Sequence, residues 1–254
     1  MIDEGFTPEE LNAFRREGFF VARGLAPGAL CARILETSRR HLADRIGPIE
    51  YEADLRYPGA PESRDALGGQ TSRRLLQAFA RDPVYREWAM SVPLAARLRQ
   101  LLGPQAALAQ AHHNCVMTKQ ARYSSVTGWH QDIRYWSFER PDLVSVWLAL
   151  GPERPDNGCL SFIPGTHQME FARERLDAAL FLRPELPENR ALIETCVTPL
   201  LESGDVVFFH CRTFHAAGAN HTDTVKFSPV FTFHSLDNPP IIGTRSASLP
   251  SIDI

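Results

Sequence analysis

Lysine is almost missing from this chain of 254 residues: Lys119 and Lys226 are the only two, and arginine supplies the rest of its 27 basic side chains. No stretch gathers the arginines into a basic run or stripe, and the net charge is −3. A nucleic-acid partner is therefore not expected. Cysteine is also sparse. Cys31, Cys115, Cys159, Cys196 and Cys211 are odd in number, scattered and free of any CxxC pair, which argues against a disulfide framework and a thiolate zinc site. No apolar run approaches the roughly 18 residues that a membrane span needs. The opening Met1-Ile2-Asp3-Glu4 lacks the basic and apolar regions of a secretory signal, and the closing Ser251-Ile252-Asp253-Ile254 is no peroxisomal address. A reduced, cytoplasmic protein without a membrane partner is the expectation.

What is present suits a folded enzyme. The chain is 44% hydrophobic and 22% charged, ordinary for a globular protein. Its length allows one large domain or two small ones. Thr7-Pro8-Glu9-Glu10 reads as a helix start, with Thr7 as N-cap, Pro8 at N1 and Glu10 at N3. Phe19-Phe20-Val21 is a short strand candidate. Helical patterns follow at about 27–43, 83–90 and 94–102. Residues 58–70 are rich in Gly, Pro and polar side chains and read as a long loop, which is usually functional or mobile. Beyond Gly103-Pro104, short β-branched and aromatic runs alternate with turn signals: 106–117, 143–150, 159–163, 206–210 and 225–234. Asp156-Asn157-Gly158, Pro164-Gly165 and Ser203-Gly204-Asp205 are the turns. Short strands between turns suggest a sandwich or barrel. Residues 169–193 read as a charged, helical or irregular insertion between strands. With no internal repeat, one domain spans 1–254: a helical part over about 1–103 packed on an antiparallel β core over about 104–236.

Chemistry concentrates at Trp129-His130-Gln131-Asp132. On a strand, positions i and i+2 share a face, so His130 and Asp132 reach one ion together. His215, just after the strand at 206–209, is the best third ligand. Two histidines and a carboxylate with open positions form the facial triad of non-haem Fe(II) oxygenases. On its own His-x-Asp is a weak signal, since most such pairs are a surface histidine beside a turn aspartate.

Five blocks in this order resemble the phytanoyl-CoA dioxygenase family of Fe(II)/2-oxoglutarate-dependent oxygenases: 129–136, 143–150, 157–167, 204–210 and 215–220. The resemblance covers about 104–235, with weaker similarity in the N-terminal helices. It implies a double-stranded β-helix, or jelly roll. It makes His130, Asp132 and His215 the iron ligands, with 2-oxoglutarate and O₂ as co-substrates. Trp147 falls where the family has a tryptophan lining the 2-oxoglutarate pocket, though a core aromatic on a buried strand is an equal alternative. The chain departs from the family at the far carboxylate of 2-oxoglutarate. Lys226 stands where an arginine is usual, eleven residues after His215, and Ala217 replaces a frequent Ser or Thr. Lysine is a point charge without the planar fork of arginine. Ser228 shares the face of Lys226 and offers a hydroxyl, so the pair is the expected carboxylate site; an exposed strand lysine is the alternative. Lys119 and Arg134 are further candidates for substrate or co-substrate contact.

Because Asp132 is kept, hydroxylation of a small molecule is expected rather than halogenation, for which related enzymes replace this carboxylate. A secondary metabolite or amino-acid-like compound suits the chain better than an acyl-CoA. Neither 58–70 nor 169–193, the expected substrate determinants, carries a basic cluster for CoA phosphates. Two alternatives stand: a non-catalytic jelly-roll protein that retains the metal, and a metal enzyme that uses no oxo acid.

Overall fold

The computed structural model describes residues 5–55 and 57–254, so the opening Met1-Ile2-Asp3-Glu4 lies outside the described residues. Among the described residues, six helices run in chain order as α1 (Pro8–Glu17), α2 (Gly28–Ala43), α3 (Ala78–Arg81), α4 (Pro83–Ala89), α5 (Val92–Leu102) and α6 (Pro187–Ile193). The twelve strands are β1 (Phe19–Ala22), β2 (Ile49–Tyr51), β3 (Ser72–Leu76), β4 (Ala106–Leu108), β5 (Asn114–Lys119), β6 (Thr127–His130), β7 (Leu143–Leu148), β8 (Leu160–Phe162), β9 (Val206–His210), β10 (His215–Ala217), β11 (Lys226–Ser235) and β12 (Ile252–Asp253).

Nine strands form a large sheet in the order β1-β9-β7-β11-β5-β3-β2, with β4 beside β11 and β12 beside β4. The small sheet is β6-β10-β8. Every pairing is antiparallel, and the mainly β jelly-roll core with packed helices agrees with the sequence reading. Strand alternation divides the interior. Val144, Val146 and Leu148 of β7, with Phe227, Phe231 and Phe233 of β11, face the helices and pack on residues such as Ile34, Trp88 and Leu98. The opposite face of the same strands, with Trp147 and Val230, packs on Leu160 and Phe162 of the small sheet. With both faces covered, β7 is buried at all six positions.

Thr7 accepts from the Glu10 amide and Glu10 accepts from the Thr7 amide, the expected capping box at the start of α1. Gly18 ends α1 at φ +80°, and a Cβ there would meet His167 Nδ1 at 2.4 Å and Thr213 Oγ1 at 2.5 Å. Two strands escape the sequence pattern. β2 and β3 lie in the part expected to be helical apart from 19–21, and β3 pairs with β5. Their residues, Ile-Glu-Tyr and Ser-Arg-Arg-Leu-Leu, carry too many charges to look like sheet. The single run expected at 106–117 is two strands, β4 and β5, broken at 109–113. The insertion at 169–193 contains one 3₁₀ turn and α6, and is otherwise irregular.

Candidate metal centre

The His-x-Asp segment straddles a strand end rather than lying on a strand. β6 stops at His130, and Asp132 opens a 3₁₀ turn, Asp132–Tyr135. Gln131 keeps an extended backbone, φ −107° and ψ 135°, so His130 and Asp132 still turn to the same side. His215 opens β10 and is the cross-strand partner of His130. The Gln131 side-chain amide donates to the Arg212 carbonyl, tying the turn to the loop that delivers His215.

The three side chains converge. Asp132 Oδ1 lies 3.8 Å from His130 Nε2 and 3.7 Å from His215 Nε2, and the three atoms all lie within 4.8 Å of one another. His130 Nδ1 donates to the Gly128 carbonyl at 2.9 Å, and His215 Nδ1 to the Thr213 carbonyl at 3.0 Å. These bonds fix the tautomer and leave each Nε2 lone pair free for a cation. Ser145 Oγ donates to Asp132 Oδ2 at 3.3 Å. The fully buried Oδ1 has no hydrogen-bond donor. A buried carboxylate oxygen without a donor is costly, and a cation shared with two imidazole nitrogens would satisfy it. The donor set suits Fe(II) with open coordination positions.

Electrostatics keep the donors in ligating form. Burial pushes the His130 imidazole well below its usual range, so it is neutral near pH 7. Burial alone would raise the Asp132 carboxyl. The imidazoles of His113, His215 and His130 and the Ser145 hydroxyl outweigh it and hold the carboxyl below the usual range. His113 Nε2 stands 3.5 Å from Asp132 Oδ1, and burial lowers its pKa to about 4. Burial likewise lowers His112 to about 3. Both rings line the cavity over the triad.

That cavity has a volume of about 150 Å³ and reaches from His130, Asp132 and His215 past Met117 and Trp147 to Lys119 and Arg73. Lys226 and Ser228 do not line it. Both are buried around a carboxylate that the sequence did not single out. Lys226 Nζ donates to Glu153 Oε2 at 2.9 Å, and Ser228 Oγ and Trp147 Nε1 donate to Glu153 Oε1 at 2.7 and 2.8 Å. Glu153 has no exposure to solvent. The expected charge and hydroxyl at Lys226 and Ser228 thus meet a carboxylate of the chain itself. The face-sharing is real, but the partner is internal. Nothing in Gly151-Pro152-Glu153-Arg154 marks Glu153 as more than a turn residue. Trp147 is both a cavity wall and a core aromatic.

Lys119, directly opposite Lys226 across the β5–β11 ladder, faces the cavity and, among the described residues, donates only to the Ser125 carbonyl, at 2.6 Å. Arg134 is turned outward, donating to the Ala179 carbonyl and stacking over Phe181 at 3.7 Å. His167, just after the Pro164-Gly165 turn, bonds the Arg15 carbonyl and serves a structural role.

Comparison with known proteins bears on the family and the fold. The family model described as phytanoyl-CoA dioxygenase matches residues 14–228. A probable phytanoyl-CoA dioxygenase of Caenorhabditis elegans is 28% identical over 85% of this chain and 71% of its own. An ectoine dioxygenase of Sphingopyxis alaskensis is 23% identical over 93% and 78%. Among solved structures, EctD from S. alaskensis with 2-oxoglutarate and 5-hydroxyectoine superposes with a TM-score of 0.76, at 21% identity over 95% of this chain and 80% of that one. The epimerase SnoN with Fe3+, alpha ketoglutarate and nogalamycin RO gives 0.75, at 22% identity over 95% and 89%. With its family blocks in order and the matched region spanning most of its length, the chain belongs to the phytanoyl-CoA dioxygenase family.

Proposed function

We propose that this protein is an Fe(II)- and 2-oxoglutarate-dependent dioxygenase that hydroxylates a small organic molecule, with His130, Asp132 and His215 holding the iron. The observation that carries this reading is the donorless Asp132 Oδ1, buried within 4 Å of the Nε2 atoms of His130 and His215 and facing a cavity. Bound there, the iron would supply O₂ activation driven by oxidative loss of CO₂ from the oxo acid, leaving succinate. The chain's own residues do the rest. Gly128 and Thr213 carbonyls orient the imidazoles, Ser145 orients Asp132, and Met117, Leu160 and Trp147 line the cavity against water. Retention of Asp132 supports hydroxylation over halogenation.

The cavity is compact. A volume of about 150 Å³ is small beside the few hundred Å³ typical of drug-sized sites, and it must also hold the oxo acid. A secondary metabolite or amino-acid-like substrate that inserts one end suits it better than a bulky thioester. The occupied Lys226 favours one competing reading, a jelly-roll metal enzyme that uses no oxo acid. Succinate formation in the presence of Fe(II), ascorbate, O₂ and 2-oxoglutarate tests both. Iron-loaded protein that neither binds 2-oxoglutarate nor releases succinate would overturn the proposal.

A further inference from the structure

Three lines of evidence meet at the far end of the cavity. The first is the loss of Lys226 as an anchor. Its ammonium lies over the Trp147 ring at 4.9 Å and is neutralised by Glu153, as described above. The second is Lys119, held at the same level of the sheet on the adjoining strand. It is 6% exposed, faces the cavity, and has no carboxylate within ion-pair distance among the described residues. The third is Arg73, 2% exposed, which also faces the cavity. It bonds Glu52, Ser125 and Thr127 through its terminal nitrogens, while its Nε has no hydrogen-bond partner and the Glu50 carboxylate stands 3.9 Å away. Arg73 and Lys119 meet through Ser125, one on its hydroxyl and one on its carbonyl.

The basic side chains here are unevenly paired. Lys119, Lys226, Arg73 and Arg74 face Glu153, Glu52 and Glu50, the last paired with Arg74 at 3.1 Å. Lys226, Arg73 and Arg74 are paired, which leaves Lys119 as the buried cation that lines the cavity with no carboxylate partner among the described residues. A buried cation without a counter-ion is unfavourable until an anion arrives.

We propose that the far carboxylate of the oxo acid docks on Lys119, with Arg73 beside it, because Glu153 has already taken Lys226. This rests on the oxo-acid reading above. It makes Glu153 a resident substitute for the ligand's carboxylate at the family position, and it moves the anchor one strand across, from β11 to β5. The specificity-determining residue is then Lys119.

The test is anaerobic equilibrium binding to the Fe(II) protein, comparing 2-oxoglutarate with 2-oxopentanoate, which has the same length but no far carboxylate. Wild type should prefer 2-oxoglutarate. Lys119→Met should weaken 2-oxoglutarate roughly tenfold to a hundredfold and leave 2-oxopentanoate in place, collapsing the preference. Lys119→Arg should retain it. The paired variant Lys226→Met with Glu153→Gln, which removes the internal ion pair as a unit, should keep the preference. A preference that survives Lys119→Met, or one lost in the paired variant, overturns the Lys119 assignment alone. Wild-type Fe(II) protein that binds neither oxo acid overturns the oxo-acid reading itself, and the assignment with it.

Discussion

Single residues decide whether the centre holds a metal. His130→Ala or His215→Ala removes one of three ligand atoms and should abolish both iron retention and turnover; metal analysis after gel filtration checks the first independently of the second. Lys226→Ala presents a different problem. It leaves Glu153 charged and buried without its cation, which should cost roughly 3–5 kcal/mol of stability, read as a lowered denaturant midpoint. Lys119 gives the residue scale its pH dependence. Burial first, then the cations of Arg73 and Lys226, lower its pKa to about 7, with Glu52 pulling the other way. A bound carboxylate raises it again. Below about pH 7 Lys119 is already protonated and contributes no pH dependence. Above it, binding must take up a proton, so 2-oxoglutarate affinity should fall as pH rises, by up to about tenfold per unit. Calorimetry in buffers of different ionisation enthalpy would reveal that uptake; an affinity flat through pH 8 would contradict it. The cluster of His130, Asp132 and His215 was legible because residue type and spacing carry metal chemistry. Glu153 was not, because a carboxylate just after a strand looks like any turn residue until the fold brings Lys226, Ser228 and Trp147 onto it.

At the scale of elements, the insertion at 169–193 reaches the back of the metal centre. Leu182 donates its amide to the Trp129 carbonyl at 2.9 Å, and Phe181 packs with its ring 5.7 Å from that of His130. Gly128 makes room: a Cβ there would stand 3.2 Å from Phe181. Phe181→Ala should loosen His130 and weaken iron binding by about tenfold, the scale of changes behind a metal ligand, while helix content stays constant by circular dichroism. The helices were readable because caps and 3.6-residue periodicity are local signals. β2 and β3 were not. Their Glu50 and Arg74 side chains stabilise one another, Arg73 pairs with Glu52 just past β2, and only tertiary pairing makes such a run a strand. The split between β4 and β5 follows the same logic, because the turn at 109–113 exists to swing His112 and His113 to the cavity.

On the scale of the whole molecule, the N-terminal helix braces the metal centre from the outside. The Gly18 carbonyl accepts from Thr213 Oγ1 at 2.8 Å, and Thr213 in turn orients His215. Gly165 donates to the Glu17 carbonyl in the same corner. Gly18→Ala would force a side chain into the left-handed region, at roughly 1–2 kcal/mol, and press on Thr213. It should lower both thermal stability and iron affinity, although Gly18 lies at the far end of the chain from His215.

The cross-strand pairing of His130 with His215 carries a mechanical consequence. An ion held by both is a clip across the seam between β6 and β10, closing the long excursion of chain between them. Those two strands meet through a short, irregular ladder whose register shifts after His215, so they have few backbone bonds of their own. Chelation should therefore unfasten the small sheet before the large one. Hydrogen exchange would show amides of 127–130 and 215–217 losing protection while those of β7 and β11 keep theirs, and reloading the metal would close the seam again.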